Sequence, residues 1–82
     1  MISLEKQFFE VAKNGNLNLM KALVEISGFD VNTKDKYGQT ALMLAAENGY
    51  LDVVKYLVGE KHIDINAGDN VGQTALMFAA NS

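Results

Sequence analysis

The sequence predicts an all-α solenoid, in which antiparallel helix pairs joined by hairpin-like loops stack side by side. Three observations carry that expectation. The chain matches itself along the whole overlap when slid by 34 residues, its apolar residues recur on a helical period, and Asn, Asp and Gly crowd the segments between. Eighteen of forty-eight aligned positions are identical, and they fall on glycines, small residues and apolar positions. The period divides one domain into a unit at about 1–34, a second at about 35–68 and a half unit at 69–82.

The first unit is read through its matches to the second. Ala12, Asn14, Gly15 and Leu17 meet Ala46, Asn48, Gly49 and Leu51; Lys21, Leu23 and Val24 meet Lys55, Leu57 and Val58; Asp30 and Asn32 meet Asp64 and Asn66. In the second unit Thr40 is an N-cap whose hydroxyl can satisfy an orphan amide of the helix Ala41 to Ala46. The alanines of that helix permit close approach of a neighbour. Asn48-Gly49 ends it, because glycine supplies the left-handed backbone of a helix stop. A second helix is expected from about Leu51 to Glu60, with Val53, Val54, Leu57 and Val58 on one apolar stripe. Asp52 in its first turn and Lys61 near its last suit the helix dipole. From His62 to Gly72 the residues are turn formers. The third unit repeats Gly38-Gln39-Thr40-Ala41-Leu42-Met43 unchanged as Gly72-Gln73-Thr74-Ala75-Leu76-Met77. One such unit cannot cover its own apolar face, whereas a stack can.

Composition narrows the function. The 82-residue chain is about half hydrophobic and carries a net charge of −3, with seven lysines scattered among ten acids. That balance disfavours nucleic acid as a partner. With no cysteine, disulfides, thiol nucleophiles and thiolate metal sites are all excluded. Apolar runs such as Ala41 to Ala46 are too short to span a bilayer, and no secretory signal is legible near Leu4-Glu5-Lys6-Gln7. The expectation is cytoplasmic residence, with the nucleus as the alternative, and no membrane partner.

These letters resemble the ankyrin repeat, whose pattern is roughly D-x-x-G-x-T-P-L-x-x-A-A-x-x-G-x-x-x-V-V-x-x-L-L, ending in D-V-N. Asp35 through Leu42 opens such a unit, and Ala45-Ala46, Gly49, Val53-Val54, Leu57-Val58 and Asp64-Ile65-Asn66 complete it. Asp69 through Ala80 begins another. Residues 3–32 are similar to a first repeat that lacks the opening loop but keeps Ala12, Gly15, Leu23 and Asp30-Val31-Asn32. The period is one residue longer than the family's, which suggests a longer second-helix end or a bulged turn. Alanine (Ala41, Ala75) replaces the family's proline. Met43 and Met77 stand where the family has a histidine, so a loop-bracing hydrogen bond is expected to be missing. Asn32 and Asn66 occupy a position hydroxylated in some ankyrin proteins; here a turn-bracing role is expected. Because the half unit has no second helix, Leu76, Phe78 and the outer face of the second unit are expected to lack cover. A truncated piece of a longer array, self-associating through that face, is the expectation.

No chemistry is expected. His62 reads as a solvated cap residue, and the calcium-like Asp30-x-Asn32 and Asp64-x-Asn66 have Ala41 and Ala75 where a bidentate glutamate is needed. Gly59-Glu60-Lys61 lacks the rest of a phosphate loop. The expectation is no catalytic residue, no metal and no cofactor. The resemblance implies instead a non-enzymatic scaffold or adaptor that binds proteins through loop tips and a concave groove. The alternatives are a piece of a larger ankyrin-containing enzyme or membrane protein, or a self-associating structural piece. The loop-tip candidates are Lys34, Lys36, Tyr37, Gln39, Asn70, Val71 and Gln73; the groove candidates are Met43, Glu47, Asn48, Met77 and Asn81, with Phe9, Lys13 and Asn14 in the first unit. Tyr37 is either an exposed hot spot or packed on the neighbouring loop. Met43 and Met77 either form an adaptable binding stripe or fill space between first helices. Phe8 is assigned to the core and Phe9 partly to the groove. Leu42, Ala45, Ala46, Val54, Leu57, Leu76 and Ala79 are assigned to the core.

Overall fold

The first three helices each begin on a side chain that caps them. In the computed structural model, which describes residues 3–80, α1 (Leu4–Asn14) starts on Ser3, whose Oγ accepts the Lys6 N–H at 3.2 Å. Gly15, at φ 70°, ends it. Asn16 then caps α2 (Leu17–Ser27) by accepting the Leu19 N–H, and Gly28 closes that helix at φ 68°. Thr40 caps α3 (Ala41–Glu47) as expected, its Oγ1 accepting the Met43 N–H. Met43 returns the favour: its Sδ accepts the Thr40 N–H at 3.4 Å. A thioether thus supplies an acceptor at a position where the sequence suggested that a brace was lost.

The extra residue of the 34-residue period is absorbed differently in the two units. In the first, α2 simply runs on to Gly28. In the second, α4 (Leu51–Lys55) gives way to a π-helical turn over Tyr56–Glu60, and the Lys61 N–H reaches back to the Tyr56 carbonyl. The helix expected from about Leu51 to Glu60 is present, and the longer or bulged end suggested by the 34-residue period takes the form of a widened last turn, as an inserted residue does when the flanking turns are held by packing. His62, 34 residues after Gly28, closes the turn at φ 53°. Left-handed backbone is uncommon for a residue with a Cβ.

The half unit contributes α5 (Ala75–Ala80). The first helices α1, α3 and α5 lie side by side in one layer, and α2 and α4 pack behind them in a second. Phe8, Met20, Met43, Val53 and Leu57 are fully buried. The Phe8 ring stands 4.6 Å from that of Phe29, centroid to centroid. Leu42, Ala45 and Leu57 are buried as expected, and Ala46 and Val54 are partly so. Leu76 and Ala79 are not core: Leu76 is 78% exposed, because no helix lies over the far side of α5 among the described residues.

Two local features are decisive for stability. Asn16 of the first unit is replaced by Tyr50, which makes no side-chain cap bond but lays its ring over Gly15. A Cβ on Gly15 would meet that ring at 2.5 Å, whereas one on Gly49 would meet nothing within 4 Å. Tyr56 is buried with no hydrogen-bond partner for its hydroxyl among the described residues, its ring under the ammonium groups of Lys21 and Lys61 at 5.5 and 5.9 Å. Burial, and then the nearby Glu25 and Glu60 carboxylates, hold its phenol above the usual tyrosine range.

Two outcomes are expected. Gly15→Ala combines left-handed strain with the ring collision and should lose roughly 2–4 kcal/mol, against about 1–2 kcal/mol for Gly49→Ala, both read from urea midpoints. Because the Tyr56 phenol is raised in the folded state, its contribution is full below the unfolded value near 10 and is lost as pH climbs through the folded one. Tyr56→Phe should match or exceed the parent by up to about 1 kcal/mol at neutral pH. Its margin over the parent should widen in unfolding curves recorded at strongly alkaline pH.

Candidate functional site

The loops between units carry most of the candidate residues, and a ladder of hydrogen bonds holds them. Asp35 Oδ1 accepts the N–H groups of Tyr37 and Gln39, each at 2.9 Å. Thirty-four residues on, Asp69 Oδ1 accepts those of Val71 and Gln73 at 3.0 and 2.8 Å. The Asp35 N–H donates to the Gln39 carbonyl, and that of Asp69 to Gln73 in the same way. The loop before each tip is held alike, with Asp30 and Asp64 accepting from Asn32 and Asn66. These carboxylates face their own backbone, and among the described residues no group of acids or His is placed to hold a metal ion.

Neighbouring loops are also tied to each other. The Asn70 N–H donates to the Tyr37 carbonyl at 3.0 Å, and the Asn70 Nδ2 to the Lys36 carbonyl at 3.1 Å. Lys34 Nζ donates to the Gly68 carbonyl, and the Asp64 N–H to Asn32 Oδ1, both at 2.9 Å. Gly38, at φ 74°, leaves room for this contact: a Cβ there would stand 2.5 Å from Asn70 Oδ1. Asn32 thus braces the next unit.

The candidates separate accordingly. Tyr37 keeps its backbone fixed while the residue remains 59% exposed, with the Lys36 ammonium 5.2 Å from the ring centroid. Val71, at the second tip, is 79% exposed. Glu47 and Asn48 face solvent at the end of α3, although Asn48 Nδ2 donates to the Leu44 carbonyl. Met77 is half exposed on α5. Lys34 and Asn70 are exposed, but their polar groups serve the loop ladder, and Gln39 and Gln73 are half-buried behind the tips. Met43 is corrected: at 1% exposure it fills the space between first helices and offers a partner nothing. Asn81 lies outside the described residues.

Between α1 and the Tyr37 tip lies an open depression of about 370 Å³. Phe9 forms its floor, nearly buried, with Lys6, Lys13, Lys36 and Tyr37 around it. Asn14 is exposed further along α1. Lys6 was not among the candidates. Its spacing of three and seven residues from Phe9 and Lys13 puts all three on one helical face, a signal that was available once α1 was placed.

The comparisons agree with this architecture. A family model described as ankyrin repeats, in three copies, matches residues 8–82. No curated protein matches the chain significantly. Among solved structures it is similar to a chain from the complex of a predatory endopeptidase of Bdellovibrio bacteriovorus with an immunity protein. The identity is 40% and the TM-score 0.84, over 90% of this chain and 38% of that one. Among the described residues, no helix is long and apolar enough to cross a membrane.

The loop ladder is open to test. Asp35→Ala removes the acceptor of two N–H groups and should cost about 1–3 kcal/mol, with faster amide exchange at Tyr37 and Gln39. Asp35→Asn, which keeps an acceptor oxygen, should recover most of the loss.

Proposed function

The chain belongs to the ankyrin repeat family, and from that premise we propose that it is a non-enzymatic scaffold or adaptor that binds another protein through its loop tips and the adjoining groove. Ankyrin repeats are in general protein–protein interaction modules. The observation that carries the reading here is the Tyr37 tip. Its backbone is tied on both sides, by Asp35 within the loop and by Asn70 from the next one, while ring and ammonium stand in solvent. A large side chain held on a rigid support gives contact area with little ordering entropy left to lose. The depression beside it, with Phe9 below and Lys6 and Lys13 on its rim, extends that contact onto α1.

The contact surface on this reading comprises Lys36, Tyr37 and Val71 at the tips, with Phe9, Lys13, Glu47, Asn48 and Met77 along the first-helix layer. Lys34, Gln39, Asn70 and Gln73 support it from behind. That the matched solved chain comes from a complex of two proteins supports a folded protein as the partner.

The test is capture of partners from a lysate by the parent chain and by Lys36→Ala/Tyr37→Ala. Both side chains are exposed, so the double variant should keep the parent's melting temperature within a few degrees and lose most captured protein. Unchanged capture would remove the tip from the binding surface.

A further inference from the structure

Two peptide planes meet at the Tyr37 Cα, and together they set the direction in which its side chain leaves the loop. Each plane is held at both ends. In the first, the Tyr37 N–H donates to Asp35 Oδ1 at 2.9 Å, and the Lys36 carbonyl accepts from Asn70 Nδ2 at 3.1 Å. In the second, the Gly38 N–H donates to the Asp35 carbonyl, and the Tyr37 carbonyl accepts from the Asn70 N–H, both at 3.0 Å. Four hydrogen bonds therefore fix one residue, two to Asp35 within the loop and two from Asn70 of the next.

The repeat shows that this use of Asn70 depends on the residue and not on the loop alone. Asn70 stands 34 residues after Lys36. Each follows an aspartate whose Oδ1 gathers two N–H groups of its own loop. Lys36 carries its ammonium to within 5.2 Å of the Tyr37 ring centroid. Asn70, although exposed, turns both of its donors toward the first tip. Its Oδ1 lies against Gly38, where a Cβ would stand 2.5 Å away, so the amide spans all three residues of that tip. Only glycine lets it lie so close. An aspartate at position 70 would keep the shape and have no side-chain N–H to give.

We propose that Asn70 is a positioning residue for recognition: it fixes the direction of the Tyr37 side chain and so raises affinity, while its own donors stay turned away from the partner. This rests on the reading of the Tyr37 tip as a binding surface. A side chain aimed before binding loses less freedom when the partner arrives. The linkage is reciprocal, so a partner on Tyr37 also holds Asn70 in place. Recognition by the second unit thus draws on a residue of the third.

The probe is the set of lysate proteins that the parent chain captures and Lys36→Ala/Tyr37→Ala does not. Asn70→Ala should keep the helical circular dichroism and need about five- to tenfold more bait to capture that set. Asn70→Asp, equal in shape but without the donor, should behave like Asn70→Ala. Amide exchange at Tyr37 should quicken by about fivefold or more in both. A merely structural role would not produce the remaining result. In a Tyr37→Ala chain, assayed at bait concentrations that restore capture, adding Asn70→Ala should change the requirement by less than about twofold, because Asn70 acts through Tyr37. Parent-like capture by either Asn70 variant, unchanged exchange at Tyr37, or full additivity of the two alanine substitutions would overturn the proposal. If no captured protein depends on the tip, the binding reading fails and this proposal with it; tip-dependent capture that is indifferent to Asn70 overturns this proposal alone.

Discussion

Phe8, Met20, Met43, Val53 and Leu57 are sealed from water only because two helical hairpins face each other across them. Neither hairpin has an apolar side narrow enough to fold back on itself, so each is stable by virtue of its neighbour. Everything else in the molecule serves that shared layer. The alanines of α3 bring the first helices close. Tyr50 reaches across from one unit to cover Gly15 of the other. The loop ladder keeps the units in register at the edge, so that a residue in one meets a residue 32 to 34 further on. Small domains of this length have little margin, and here the margin is set at one junction.

The same dependence explains why the units are not copies. Each must meet a period of 34 with different letters. The first ends α2 on a glycine, the residue with no penalty in left-handed backbone. The second has a histidine there and widens its last turn into a π-helical one before reaching it. Both solutions place the following aspartate, Asp30 or Asp64, to accept from its own loop. What is held constant is the position at which the chain re-enters the ladder, and the path to it is free to differ.

This division marks what could be read from the letters. Features that depend on a residue and its near neighbours were legible: the Thr40 cap, the stop at Gly49, the buried Leu42 and Leu57, the turns on Asp and Asn. Features that depend on what lies across the stack were not. Met43 and Met77 both end the stretch Gly-Gln-Thr-Ala-Leu-Met, yet Met43, on the helix flanked by α1 and α5, is sealed and Met77 lies half open. Leu42 and Leu76 differ in the same way. Asn70 reads as an ordinary loop-tip residue, and only the folded chain shows its amide turned inward onto the Lys36 carbonyl. The π-helical turn leaves a trace in the sequence, the one-residue excess in the period, but that trace does not say which turn takes it up.

Asn70 also bears on where recognition is concentrated. The two tips share the same frame, an aspartate that gathers two N–H groups and a glycine that turns the chain, and that frame leaves the two residues between free to vary. In the second loop, one of that pair, Asn70, is drawn into supporting the first, which leaves Val71 alone to face outward. In the first loop both members, Lys36 and Tyr37, remain on the surface, and they are held by a neighbour on one side and their own aspartate on the other. The rigidity of one tip is thus obtained by withdrawing a side chain from the next. The tip so supported is also the one that borders the Phe9 depression, and this conjunction of a fixed aromatic with an adjoining apolar residue distinguishes it from the Val71 tip.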